Sequence, residues 1–116
     1  MLAALIAESY RRGLVPDLWK IEGTASRASA VAIDAAIRER PGPRQVILGK
    51  GADAKSIGGW FDAAAGLESM VGFAIGRSVF MEPGAAYLKG DIPAPVAAKQ
   101  IAERYLGFVR EWISRS

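Results

Sequence analysis

Three short apolar runs, Val15–Gly23, Arg44–Gly51 and Val71–Val79, recur about 27 residues apart, each with glycine and a positive charge near its end. That interval is what strand, loop, helix and loop occupy when parallel strands are joined by crossover helices. The repeat therefore predicts an α/β fold built on a parallel sheet, in the order α-βα-βα-βα, within a single domain spanning 1–116.

Local signals fill in the elements. Leu2–Arg12 places Leu2, Leu5, Ile6 and Tyr10 at helical spacing, with Gly13 as the stop. Thr24 and Ser26 are cap candidates for a helix to about Glu39, expected to bury Ala28, Val31, Ala32, Ala35, Ile33 and Ile37, and ended by Pro41-Gly42-Pro43. The second strand covers Gln45–Leu48. A third helix from Ala52 or Asp53 carries Ile57, Trp60, Phe61 and Ala64, and a third strand covers Val71–Ile75. After Phe80 the pattern predicts only a short segment, Glu82–Lys89. A long amphipathic helix from about Ala94 to Ser114 closes the chain on Val96, Ile101, Tyr105, Phe108, Val109 and Trp112.

Composition excludes several classes of function. There is no cysteine, so disulfide frameworks, cysteine nucleophiles and Cys-based zinc sites are out; a reducing, cytoplasmic setting fits. There is no histidine either, so acid–base work falls to Lys, Glu, Asp, Tyr or water. No carboxylate cluster has metal spacing, and neither metal nor other cofactor is expected. The net charge of +3 favours anionic ligands, but the basic residues form no block, which argues against nucleic acid. No run approaches the ~18 apolar residues of a membrane span, and the opening M-L-A-A-L-I-A lacks the basic stretch of a secretion signal.

Three parallel strands are too few to finish such a fold, because parallel sheets bury both faces. Leu18, Lys20 and Glu22 share one face of the first strand, and Asp17, Trp19 and Ile21 the other. The face left bare would be on the order of several hundred Å². The chain is thus expected to self-associate as a homo-oligomer or to complement a longer chain.

The chemistry-bearing residues sit on these runs. Lys20 lies inside an otherwise apolar strand, where a desolvated amine can attack a ketone to form an iminium. The plainer alternative is a lysine paired with Glu22 or snorkelling at a strand end. Glu22, on the same face, is a proton relay or an ion-pair partner. The turns L-G-K-G and I-G-R-S place Gly49, Lys50 and Gly51, then Gly76, Arg77 and Ser78, after consecutive strands. Small residues there let a backbone approach a phosphate, with a cation beside each. Lys50 is otherwise solvated, Ser78 otherwise a cap, and Asp53 a helix-start residue.

Read together, P-D-L-W-K-I-E-G, I-L-G-K-G-A-D and G-F-A-I-G-R-S-V-F resemble the class I aldolase-like domain found fused to, or beside, 5-dehydro-2-deoxygluconokinase in myo-inositol catabolism. The likeness runs from Arg11 to Trp112. It implies the C-terminal portion of a (β/α)8 TIM barrel, its sixth to eighth strands. The implied activity is retro-aldol cleavage of 2-deoxy-5-keto-gluconate 6-phosphate to dihydroxyacetone phosphate and malonate semialdehyde. On that resemblance Lys20 occupies the place of the Schiff-base lysine, with Glu22 beside it. Gly49, Gly51, Gly76 and Arg77 match the substrate-phosphate turns after the seventh and eighth strands. L-G-K-G departs from the serine-glycine turn of the fructose-bisphosphate aldolases. The earlier strands, which carry most acid–base residues of class I aldolases, have no counterpart here.

Overall fold

The computed structural model describes residues 1–115. Five helices and three strands alternate as α1 (Leu2–Arg11), β1 (Leu18–Glu22), α2 (Arg27–Ile37), β2 (Arg44–Leu48), α3 (Ala54–Ala64), β3 (Met70–Ala74), α4 (Arg77–Leu88) and α5 (Ala94–Ser114). The strands form one parallel sheet in the order β1-β2-β3. Lys20 pairs with Val46 and Glu22 with Leu48, while Val46 and Leu48 pair onward with Gly72 and Ala74. An irregularity between Gln45 and Val46 leaves Val71 as the extra residue of β3.

Strand periodicity sorts the side chains cleanly. Trp19, Ile21, Ile47 and Phe73 point to the helices, where two clusters lie side by side. Ile6 and Tyr10 of α1 and Ile33 and Ile37 of α2 enclose Ile21. Ile57, Phe61 and Ala64 of α3, Val79 of α4 and Phe108 of α5 enclose Ile47, with Phe73 packed against them. Both clusters cover the same face of the sheet. On the other face Leu18, Lys20, Glu22, Val71 and Ala74 are exposed, and Val46 and Leu48 only half-buried. The sheet is therefore covered by helices on one side only, whereas parallel sheets ordinarily bury both faces. The structure shows an α/β fold with βα repeats.

Three helices differ from their sequence patterns. The inward stripe of α2 is Ala30, Ile33, Asp34 and Ile37, whereas Ala28, Val31, Ala32 and Ala35 are exposed. The two isoleucines bury more apolar area than the alanines, and Asp34 between them has partners at that depth. The short Glu82–Lys89 segment is instead the second half of α4, which begins at Arg77 and runs through Pro83. Pro83 forfeits one backbone hydrogen bond there, but its ring is fully buried, which offsets part of that loss. In α5 the buried residues are Ala97 and Phe108, while Val96 and Tyr105 are exposed.

Candidate functional site

The C-terminal ends of all three strands meet at one edge of the sheet, the edge at which α/β folds build their sites. Glu22 ends β1, the Gly49-Lys50-Gly51 turn follows β2, and Gly76-Arg77 follows β3. Trp60 of α3 lies flat against the backbone of Gly23, so closely that a Cβ there would sit 2.2 Å from the indole. Only glycine permits that approach, which fixes the exit of β1.

The second turn is held from several sides. Ala52 N donates to Gly49 O at 3.0 Å, closing it. A Cβ on Gly49 would fall 3.0 Å from the Ile75 side chain. Lys50 has φ +55° and Gly51 φ +71°, two successive left-handed residues of which only one is glycine. The Arg77 guanidinium lies over Gly51, 3.5 Å from where its Cβ would be. Arg77, which follows β3, is thus placed over the Gly49–Gly51 turn that follows β2.

Other parts of the arrangement differ from expectation. Lys50 Nζ donates to Glu22 Oε1 at 2.9 Å, so these residues of adjacent strand ends form an exposed ion pair. Glu22 is thereby paired with Lys50 rather than Lys20. Lys20 itself is solvent-exposed on the open face, where this chain supplies no dry surroundings for its amine. Ser78 Oγ donates to Ala52 O at 2.5 Å, so its proton braces the turn.

The two helix starts at this edge are unlike. Asp53 caps α3 by accepting from Ser56 N at 2.8 Å. That hydrogen bond, reinforced by the Ser56 hydroxyl and the nearby Lys55 charge, holds the Asp53 carboxyl below its ordinary value. The cap is consequently intact at neutral pH and fades only as acid protonates it below the usual aspartate range. The start of α4 has no side-chain cap, and Gly76 occupies its N-cap position. The first backbone N–H groups of α4 are thus left without a side-chain partner.

A cavity of about 670 Å³ opens beside the turn, on the helix side, between α4 and α5. Arg77 and Ser78 line its mouth, and Met81 and Phe108 its wall; Lys20 is not among the lining residues. Among the described residues no group of three or more acidic side chains could hold a metal ion. Among the same described residues no helix is long and apolar enough to cross a membrane.

A second polar constellation, at the opposite edge of the sheet, was not anticipated from sequence. Asp34 Oδ1 accepts from Ser69 N at 2.9 Å and from Ser69 Oγ at 2.5 Å, and Gln45 Nε2 donates to Ser69 Oγ at 2.7 Å. All three residues are buried. The only signal was Asp34 at a position in phase with Ile33 and Ile37. Buried and fully hydrogen-bonded, this network ties α2 to the starts of β2 and β3.

Residues 1–116 match the model of a family described as "Uncharacterized protein conserved in bacteria (DUF2090)". No curated protein and no solved structure matches the chain.

Proposed function

We propose that this chain, which belongs to the DUF2090 family, forms the last three strands of a Schiff-base aldolase-type barrel acting on a phosphorylated keto-sugar acid. The substrate implied by the resemblance is 2-deoxy-5-keto-gluconate 6-phosphate, a step of myo-inositol catabolism in the cytoplasm. The observation that carries the proposal is the one-sided sheet. Lys20 lies on its uncovered face, and two glycine turns with Arg77 lie at its C-terminal edge.

The chemistry assigns each group a task. The Lys20 amine, as free base, adds to the substrate ketone; loss of water leaves a protonated imine. That cation withdraws the electron pair of the carbon–carbon bond as the β-hydroxyl gives up its proton. Malonate semialdehyde departs, and the remaining enamine takes a proton and is hydrolysed to dihydroxyacetone phosphate and free Lys20. Glu22, on the same strand face as Lys20, carries a proton once the substrate phosphate draws Lys50 away. The Gly49–Gly51 turn, the uncapped start of α4 and Arg77 hold that phosphate. Further strands must cover the face, stripping water from Lys20 and disfavouring its ammonium form. They come from a second copy of the chain or from the rest of a longer barrel.

A second reading is favoured by the exposure of Lys20 and by the Glu22–Lys50 pair. On it the chain is a non-catalytic, self-associating barrel remnant that at most binds phosphorylated metabolites. Borohydride reduction in the presence of dihydroxyacetone phosphate separates the two. The aldolase reading predicts a stable secondary-amine adduct mapped by mass spectrometry to Lys20 and absent from Lys20→Arg. A protein that binds phosphate yet traps nothing belongs to the second reading.

A further inference from the structure

The sheet's N-terminal edge holds a concentration of arginines that the proposed chemistry does not use. Arg38 and Arg40 follow α2, Arg44 opens β2, and the Pro41-Gly42-Pro43 turn joins them. Together with Glu68 and Ser69 they line an open cavity of about 320 Å³. That volume lies within the range of small-molecule sites.

Arg38 is committed to two carboxylates, Glu68 at 2.6 Å and Asp34 at 3.6 Å. Arg44 donates only to the backbone carbonyl of Glu68, at 3.3 Å. Arg40 lies over the Tyr10 ring, 5.4 Å from its centroid. Among the described residues neither Arg40 nor Arg44 has a carboxylate partner. Two guanidinium groups thus face one cavity with their hydrogen-bonding forks largely open. Proline fixes the backbone of the connecting turn, so little ordering is needed to hold them there.

We propose that this cavity is an anion site, separate from the Lys20 edge, that takes a phosphate group, with Arg40 and Arg44 as its principal donors. Guanidinium pairs favour planar, multidentate recognition of phosphate oxygens over simple monovalent anions. Bound phosphate would link the end of α2 to the starts of β2 and β3. The site does not depend on the aldolase reading, since the Gly51–Arg77 turn lies at the opposite end of the strands.

Isothermal titration calorimetry at low salt tests it on the intact chain, with inorganic phosphate and glycerol 3-phosphate as separate probes. The tighter of the two identifies free phosphate or a phosphate monoester as the natural source. Replacing both residues (Arg40→Gln with Arg44→Gln) should weaken binding tenfold or more, and Arg77→Gln should leave this component unchanged. Arg44→Gln alone should weaken it several-fold, and because that residue makes only one exposed backbone contact, this variant guards against a folding defect. Unchanged binding in both variants overturns the proposal, as does full competition by chloride at equal ionic strength. Loss only in Arg77→Gln would place the phosphate at the other edge, overturning this site while leaving the proposed function standing.

Discussion

Replacing Asp34 with alanine lowers the unfolding free energy by about 3 kcal/mol, because two buried donors on Ser69 lose their acceptor at once. The Ser69 N–H and hydroxyl both converge on Asp34 Oδ1. Gln45, 2% exposed, reaches that hydroxyl from the strand side and cannot replace a carboxylate oxygen for both donors. The milder change Asp34→Asn keeps one acceptor and costs roughly half as much. Combining Asp34→Ala with Ser69→Ala costs less than the sum of the two, since the stranded hydroxyl disappears with its partner. Urea denaturation measures all three. A loss below about 1 kcal/mol for Asp34→Ala would mean that water reaches Ser69 freely.

The substitution Phe61→Ala is expected to cost about 3–5 kcal/mol, the range for emptying a well-packed aromatic site. Phe61 is wholly buried and central. Its ring centroid is 5.3 Å from Phe73 of β3, 5.2 Å from Trp112 and 6.5 Å from Phe108 of α5. Removing it unseats α3 from both the sheet and the last helix. Since α3 begins at the Gly49–Asp53 turn and holds Trp60 on Gly23, the loss also loosens the edge that carries the candidate site. Phe61→Leu retains most of the volume and is expected to cost about 1–2 kcal/mol. Equilibrium denaturation checks both, and a Phe61→Ala penalty under about 2 kcal/mol would contradict the packing described.

The elements are legible where periodicity and breakers agree. Gly13, the Pro41-Gly42-Pro43 turn and the alternation of Trp19 and Ile21 with Leu18 and Lys20 mark α1, the end of α2 and the faces of β1. The α2 stripe misleads in sequence because alanines look apolar on either side of a helix. Asp34, which looks like a surface residue, is inward only because Ser69, 35 residues away, supplies its partner. The full length of α4 is hidden for the converse reason: Met81-Glu82-Pro83-Gly84 carries a stop signal locally, and burial of Pro83 overrides it. The glycine turns and Arg77 are visible in spacing alone, since positive φ and close approach leave a glycine signature. The Glu22–Lys50 pair is not, because it depends on the β1–β2 register, which brings Glu22 opposite Leu48. The arginine cavity is equally hidden, because Arg38, Arg40 and Arg44 look like ordinary charges around a helix end. Only the fold of the turn shows that two of them lack acidic partners.

On the proposed aldolase reading the Lys20 face of the sheet is a barrel interior, which the chain on its own covers only by pairing with a second copy. Light scattering across a concentration series is the most direct measurement. Association through that face predicts a particle of at least twice the 12.3 kDa chain mass, dissociating when Val46 on the open face is replaced by glutamate. A particle of single-chain mass at every concentration, melting in one cooperative step, would contradict it.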